Sequence, residues 1–549
     1  MNAKILAING YHDSSVTFVD KNNEVRIFEY ERFCKKRYGV FRRRDDASSF
    51  GTDDETRNNF LNYIKFQLKE QPEIILYSEL DHGDIEFIKG HFSDTKFFCM
   101  GHHMSHCSGA YLQSGFENAL AISLDGGGLD YQTGNELTLR SYSIYKFDGG
   151  KSETIVHTNI DHPNRLVFNP GIYGAFGYYV SEIKKEVDIN GKSHKNSLTY
   201  AGKIMGLAAY GDVRYEWVDA ISNLYKNHPV DHWTQYDSLE KKLIAEMGID
   251  LYENCLSGKD SYDLAATNQY VFEELCFSFI KPYIDEYNMD VVFSGGCALN
   301  VLFNQKLAEY LSQKSLRLYI PPYPGDCGLS FCHFSSFQNI KCNPSPYCGI
   351  DIMDRDKIFH YFEKYNSEKK VELVTTDKIV DLIKDGKIGG IIQGYSEVGP
   401  RALGNRSIIC DPSIPDMKDI LNSKVKFREW FRPFAPVCRE EDKNLYFENA
   451  FPSEYMSFAP KVREKYRDLL PSITHEDGTA RLQTVSIDQH HLFYDILTVL
   501  KKRDMIAVIM NTSFNIKGKP ILTEVEDAFN VLETTELDFI VVENLLFTK

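Results

Sequence analysis

The chain has 549 residues, of which 43% are hydrophobic and 26% charged, with 36 glycines and 19 prolines. This composition excludes a collagen-like, low-complexity or mostly disordered protein, and the length predicts about three or four domains or lobes. A net charge of −16 argues against attraction of the whole surface to nucleic acid, although a local basic patch can act against that average.

No apolar run approaches the roughly 18 to 20 residues of a membrane-spanning helix, and the start, Met1 to Ile8, is too short for a signal-peptide core, so a cytoplasmic protein is expected. Lys4 to Asn9 reads as a buried strand, Gly10 to Ser15 as a polar turn, Val16 to Val19 as a second strand, Asp20 to Asn23 as a turn and Val25 to Tyr30 as a third strand. The same grammar returns with the strand Ala119 to Leu124, the loop Asp125 to Asp130, the strand Thr138 to Tyr145, the turn Asp148 to Gly150 and the strand Ser152 to Val156. Such a duplication matches the way the two lobes of the actin and hexokinase-like ATPase architecture begin, each setting a polar loop against a nucleotide phosphate. Two unrelated hairpin sheets are the alternative. Between about 200 and 340, helical stretches such as Ala265 to Tyr287 alternate with short strands, and Asp290 to Phe293 runs into Ser294-Gly295-Gly296-Cys297-Ala298-Leu299-Asn300. A strand entering glycines and then a helix suits backbone approach to a phosphate, or a plain tight turn. Asn343 to Gly349 is a linker by composition, placing the main boundary near 345. Beyond it come a helix at Asp377 to Lys384, a strand at Ile388 to Gln393 and a strand at Met505 to Met510 leading into Asn511, Ser513 and Asn515. Twelve cysteines between Cys34 and Cys438 include no Cys-x-x-Cys pair, so reduced core thiols are expected.

Three groups of residues carry chemistry. His102 and His106 lie four apart, so on a helix both imidazoles face one side; Asp326, on a glycine-flanked turn, is a candidate third ligand. Two His and a carboxylate suit Fe(II), Mn(II) or Zn(II), while a helix-end role is the alternative. The densest polar run is Gly394 to Ser407 followed by Lys424 to Pro436, in which arginines alternate with aromatics and rigid prolines. Fixed guanidinium forks of this kind suit bidentate recognition of a small phosphate or carboxylate, and a solvated basic face is the weaker reading. The third group is the pair His12-Asp13, either a general base or a turn that caps its own loop.

Together these residues resemble the O-carbamoyltransferases of the nodulation-factor, cephamycin and tobramycin type. The match rests on Gly10 to Ser15, on His102 to His106, on Gly202 to Gly211, on Gly295 to Asn300 and on the two arginine motifs. The resemblance implies an α/β chain: residues 1–344 would form a duplicated actin/hexokinase-like (ASKHA) domain similar to the tRNA threonylcarbamoyl transferase subunit. Residues 345–549 would form a YrdC-like α/β domain that binds carbamoyl phosphate. Arg401, Lys426, Arg432 and Ser513 match the family's carbamoyl phosphate pocket, with Arg406, Arg428 and Asn515 expected beside them. His102, His106 and Asp326 match its metal ligands, usually iron, and Asp125, Gly126, Gly127, Gly128, Lys203, Gly206, Gly296 and Asn300 fall where the family cradles ATP, which arrives with Mg2+.

The implied route is carbamoyl phosphate plus ATP to carbamoyl-adenylate, then transfer to an alcohol, with Asp13 orienting or deprotonating the hydroxyl and His12 beside it. Residues 31–44 occupy the expected acceptor region and carry seven cations, more than the family pattern. Arg37, Arg42, Arg43 and Arg44 with Tyr38 and Phe41 suggest an acceptor that bears phosphate and a base, such as 5-hydroxymethylcytosine in DNA or its nucleotide. A sugar or small metabolite is the rival acceptor. A second function class, an actin-fold metabolite kinase, predicts ADP as product and no need for carbamoyl phosphate. A transferase acting on tRNA would need a threonine-derived donor.

Overall fold

A computed structural model describes residues 4–42, 52–131, 137–158, 168–183, 197–227, 256–341, 345–516 and 518–549. Arg43 and Arg44, expected in the acceptor region, lie outside these described residues. The first sheet starts as its sequence pattern predicts. Ile5–Asn9 (β1), Ser15–Val19 (β2) and Val25–Glu29 (β3) form an antiparallel meander of β-branched and aromatic residues separated by polar turns. β1 then takes Ile74–Ser78 (β4) as a parallel partner, and Lys96–Cys99 (β5) extends the sheet to the order β3-β2-β1-β4-β5.

The second sheet repeats that plan. Asn118–Tyr131 (β6), Leu137–Asp148 (β7) and Lys151–His157 (β8) form the meander, and Val291–Ser294 (β9) and Leu318–Tyr319 (β10) add in parallel, in the order β10-β9-β6-β7-β8. In both sheets the first meander strand sits at the centre and carries the crossover, so the duplicated lobes of the actin and hexokinase-like class are present. One local expectation fails. Residues 125–130 are not a free loop; β6 continues through them, with a register irregularity between Leu124 and Gly128. Pairing of Gly128 to Tyr131 with Leu137 to Arg140 overrides the turn preference of three consecutive glycines.

The third sheet has eight strands: Val371–Leu373 (β11), Gly389–Ile392 (β12), Arg406–Cys410 (β13), Ala435–Arg439 (β14), Gln483–Val485 (β15), Ile509–Ser513 (β16), Phe539–Val542 (β17) and Leu545–Thr548 (β18). Their order is β11-β18-β17-β12-β13-β16-β14-β15. Because side chains alternate along a strand, Ile391, Phe539 and Val541 enter one hydrophobic cluster with Ile379, Ile383, Phe493 and Leu497. Ile392, Ile540 and Val542 enter the opposite cluster with Phe529 and Phe547. Helices therefore cover both faces, which is why these strands read as continuous apolar runs. The strand expected at Met505 to Met510 starts only at Ile509, because Met505 N donates to Leu500 O at 3.0 Å and closes the preceding helix.

The chain divides into two compact units. One comprises Met1–Cys99, Asp326–Gln338 and Asn343–Lys549; the other comprises Met100–Gly325 and Asn339–Cys342. The sequence on both sides of the linker near 345 thus belongs to the first unit. Every described cysteine is free, and no described helix is long and apolar enough to cross a membrane.

Gly295, at the end of β9, holds φ at 87° and donates its N–H to Pro324 O at 2.8 Å; a Cβ there would meet Leu124 O at 2.3 Å. Gly295→Ala is expected to destabilise the second unit by about 1 to 3 kcal/mol, from left-handed strain and the carbonyl clash together. Urea unfolding of the variant checks this through its midpoint.

A candidate anion pocket, a carboxylate–imidazole loop and a candidate metal centre

In the first unit, the segment from β12 to β13 is folded on a buried carboxylate. Glu397 Oε1 accepts from Leu403 N at 2.6 Å, Gly404 N at 3.2 Å and Arg406 N at 3.3 Å. Arg406, fully buried, spends its guanidinium on the carbonyls of Gln393, Gly394 and Asn405 at 2.6 to 2.9 Å. It is a backbone clamp in this loop, whereas the sequence suggested a place among the anion ligands. Arg401 lies at the tip of the clamped segment.

Lys426 comes from the following motif. Its Nζ donates to Ser513 O at 2.6 Å, Asn515 O at 2.8 Å and Ser513 Oγ at 3.2 Å, and also to Asn515 Oδ1. Burial, together with Arg428, Arg432 and Arg37, holds Lys426 well below the usual lysine range. Burial and Arg432 bring Arg401 down to about 10. Arg428 is lowered by burial and by Arg432 and Arg481, while its Nε donates to Asn422 Oδ1 at 2.7 Å and its guanidinium lies 4.4 Å from the Phe434 ring. Arg481 is lowered by burial and by Arg401 and Arg432. Mutual repulsion of this kind identifies Arg401, Lys426, Arg428, Arg432 and Arg481 as one cationic cluster, with Glu429 Oε2 3.7 Å from Arg432. Arg481 was missing from the sequence reading. It stands alone between Ala480 and Leu482 with no flanking motif, and its buried Nε has no hydrogen-bond partner among the described residues.

The His12-Asp13 loop lies in the same unit. His12 Nδ1 is 3.1 Å from Asp13 Oδ2, and His12 Nε2 is 3.5 Å from Asp326 Oδ2, so the ring stands between two carboxylates. Asp13 holds φ at 53°, an uncommon conformation for a residue with a side chain. Residues 39–42 fasten onto this loop: Ser14 N donates to Gly39 O at 3.3 Å, Phe41 N to Ser14 Oγ at 2.9 Å and Arg42 N to Gly10 O at 2.9 Å. Asn9 Nδ2 donates to Asp326 O at 3.2 Å.

The basic stretch is less free than its charge suggests. Lys35 pairs with Glu524 at 2.8 Å and Asp527 at 3.0 Å, and Arg42 Nε lies 3.3 Å from Asp81. Arg37 donates to the Tyr38 hydroxyl at 2.9 Å, and Tyr38 N to Glu31 Oε2 at 2.8 Å. Phe41 is 1% exposed and packs on Tyr30 and Phe60, so it does not offer the ring face expected of it.

In the second unit, the helix His102–Ser114 presents His102 and His106 toward Asp125, with Nε2 to Oδ2 distances of 4.0 and 3.7 Å. Their ligand atoms and that of Asp125 lie within 4.8 Å of one another, and all three side chains are buried. His103, between them, turns the other way and meets Arg140 O at 3.1 Å. Two imidazoles and a carboxylate in a buried group fit a divalent cation. Asp125 also accepts from Gly126 N at 2.5 Å and Gly296 N at 2.8 Å, tying together two glycine segments expected to approach a nucleotide. Lys203 and Gly206 lie on the helix Ser197–Leu207, with Lys203 buried over the Tyr200 ring. Asn300 caps the helix Val301–Gln313 and exchanges two hydrogen bonds with Gln269, so its amide is committed locally.

Residues 69–331 match the family model for the carbamoyltransferase N-terminus, and residues 380–549 that for the carbamoyltransferase C-terminus. Nodulation protein NolO of Bradyrhizobium diazoefficiens is 29% identical over 481 residues, covering 82% of this chain and 79% of that protein. Nodulation protein NolNO of Sinorhizobium fredii is 30% identical over 470 residues, covering 82% of this chain and 64% of that protein. Among solved structures, full-length HypF in a phosphate- and nucleotide-bound form aligns with 62% of this chain and 55% of its own, at 15% identity and a TM-score of 0.35.

Proposed function

The chain belongs to the carbamoyltransferase family, and from that premise we propose that it carbamoylates a hydroxyl group at the expense of ATP and carbamoyl phosphate. The observation that carries this reading is the cluster of a buried Lys426 with the partly exposed Arg401, Arg428, Arg432 and Arg481, whose mutual repulsion a bound dianion would relieve. Carbamoyl phosphate enters there, water releases inorganic phosphate and carbamate, and carbamate attacks the α-phosphorus of ATP to give carbamoyl-adenylate and pyrophosphate. The acceptor hydroxyl then attacks the carbamoyl carbon, AMP leaves with the bonding pair, and Asp13 takes the hydroxyl proton with His12 orienting it. ATP is held by Lys203 and the glycine segments around Gly126 to Gly128, Gly206 and Gly296. A divalent metal would be held by His102, His106 and Asp125, with Asp326 added by the sequence resemblance, and such an ion supplies charge neutralisation for nucleotide phosphates. Incubation with ATP, carbamoyl phosphate and an acceptor tests the whole reading: mass spectrometry should find one added carbamoyl group, with AMP and pyrophosphate as the other products. Formation of ADP without a carbamoyl phosphate requirement would replace it with a kinase.

Proton uptake should accompany donor binding. Below its lowered free-state pKa Lys426 already carries its charge; above it, binding must recruit a proton, so affinity falls as pH rises through that range. Calorimetry of carbamoyl phosphate binding in buffers of different ionisation enthalpy should find uptake approaching about one proton.

A second reading of the acceptor, 5-hydroxymethylcytosine in DNA or its nucleotide, draws on the seven cations of residues 31–44. The pairing of Lys35 and Arg42 with acids and the burial of Phe41 favour a small hydroxyl compound instead. Transfer to such DNA that falls steeply with added salt would restore the DNA reading.

A further inference from the structure

Glu29 and Arg32 form a fully enclosed ion pair at 2.6 Å where β3 passes into the helix Tyr30–Cys34. Their exposures are 4% and 2%. A buried pair of this kind gains little stability, because the cost of removing both charges from water offsets their attraction. What it does supply is direction. Arg32 donates through one terminal nitrogen to Glu397 O at 2.5 Å and through the other to Gly399 O at 2.9 Å. Glu29 Oε2 in turn accepts from Gly399 N at 3.2 Å. Gly399 has a φ of 96°, a conformation that leaves its N–H and C=O both open to this clasp. Two residues later stands Arg401. Glu397, gripped by Arg32 through its carbonyl, is the same residue whose carboxylate gathers Leu403, Gly404 and Arg406.

The clasp joins two parts of the first unit that lie more than 360 residues apart in sequence. On one side is the helix leading into Arg37, Tyr38 and the residues fastened to the His12-Asp13 loop. On the other is the backbone carrying the donor-binding arginine. We propose that Glu29 and Arg32 are positioning residues for carbamoyl phosphate, setting the Glu397–Gly399 backbone so that the Arg401 guanidinium meets the donor in register with Lys426 and Arg432. This rests on the reading of that pocket given above.

The test exploits the weak contribution of a buried pair to stability. In a Glu29→Met/Arg32→Met double variant, two apolar side chains of similar length replace the charges, and the melting midpoint should stay within about 4 °C of wild type. Titration with carbamoyl phosphate, followed by intrinsic tryptophan fluorescence, should show at least about a tenfold loss of affinity, while the KM for ATP stays unchanged. Arg32→Lys keeps the charge and one carbonyl bond, and should lose no more than about threefold. If the double variant does not fold, Glu29→Gln, which preserves shape and can still accept from Gly399 N, should weaken donor binding by about threefold. Donor affinity equal to wild type in a folded variant overturns the proposal. So does a loss in which ATP and donor constants worsen together with the melting midpoint, since that is the mark of a merely structural pair. Failure of the wild-type protein to bind carbamoyl phosphate would overturn the pocket itself, a separate result.

Discussion

Lys426→Met is expected to lower kcat/KM for carbamoyl phosphate by about 10² to 10³, as removal of one preorganised charged donor does in other phosphate and oxyanion sites. The ammonium is buried and linked to the end of β16 through Ser513 and Asn515. Methionine matches its length without its charge. The change leaves the Ser513 and Asn515 carbonyls short of a donor, a cost of about 1 to 3 kcal/mol that the fold's other contacts should absorb. AMP and pyrophosphate release, measured against donor concentration, checks the effect. Arg481→Ala is the companion change. Its guanidinium repels Arg401 and Arg432, so under the proposed function it would share their ligand, and its loss should cost about tenfold or more in the same assay. The two changes together should cost less than the product of the separate losses, because removing one cation relieves repulsion among the others. Unchanged donor kinetics in both variants would leave the pocket without its ligand.

Of the strands around this pocket, those near 388–393 and 505–510 were legible as apolar runs, whereas β13, β14 and β15 were not read, being short and set among polar and proline-rich segments. Their edges moved where tertiary pairing intervened. Residues 125–130 look like a loop by their glycines, yet β7 pairs with Gly128, Leu129 and Asp130 and holds them in β6. The roles of individual arginines were harder to read. Arg401 and Arg406 belong to one motif and look equivalent in sequence, but only the fold reveals that Gln393, Gly394 and Asn405 surround the second with carbonyls. Arg481 lacks any motif at all; what brings it to the cluster is a strand that pairs with β14 from about fifty residues away. Helical spacing correctly separated His102 and His106 from His103, since a four-residue interval returns to the same face. It could not reveal Asp125 as their neighbour, because that contact depends on β6 running beneath the helix. Burial explains the rest of the difference: Phe41 reads as a stacking ring in a basic stretch, and in the fold it is core.

Asp13→Asn should separate the two half-reactions. Asparagine keeps the size of the side chain and a hydrogen bond to His12 Nδ1, but it cannot take a proton, so transfer to the acceptor should fall by about 10² to 10⁴. The donor cluster is untouched by this change. Pyrophosphate release from ATP and carbamoyl phosphate should therefore continue, with carbamoyl-adenylate lost to water in place of the acceptor. Asparagine is among the side-chain-bearing residues that best tolerate the φ of 53° at Asp13, so the loop should keep its conformation. His12→Gln is expected to weaken transfer less than Asp13→Asn does, because in the proposed reaction His12, set between the carboxylates of Asp13 and Asp326, orients Asp13 and does not itself receive the proton. The double variant should be no worse than Asp13→Asn alone, since the pair acts as a unit. Measuring pyrophosphate and carbamoylated product in the same reaction decides the assignment. A parallel fall of both would move Asp13 from the transfer step to carbamate activation, and a parallel persistence of both would reduce the loop to a turn.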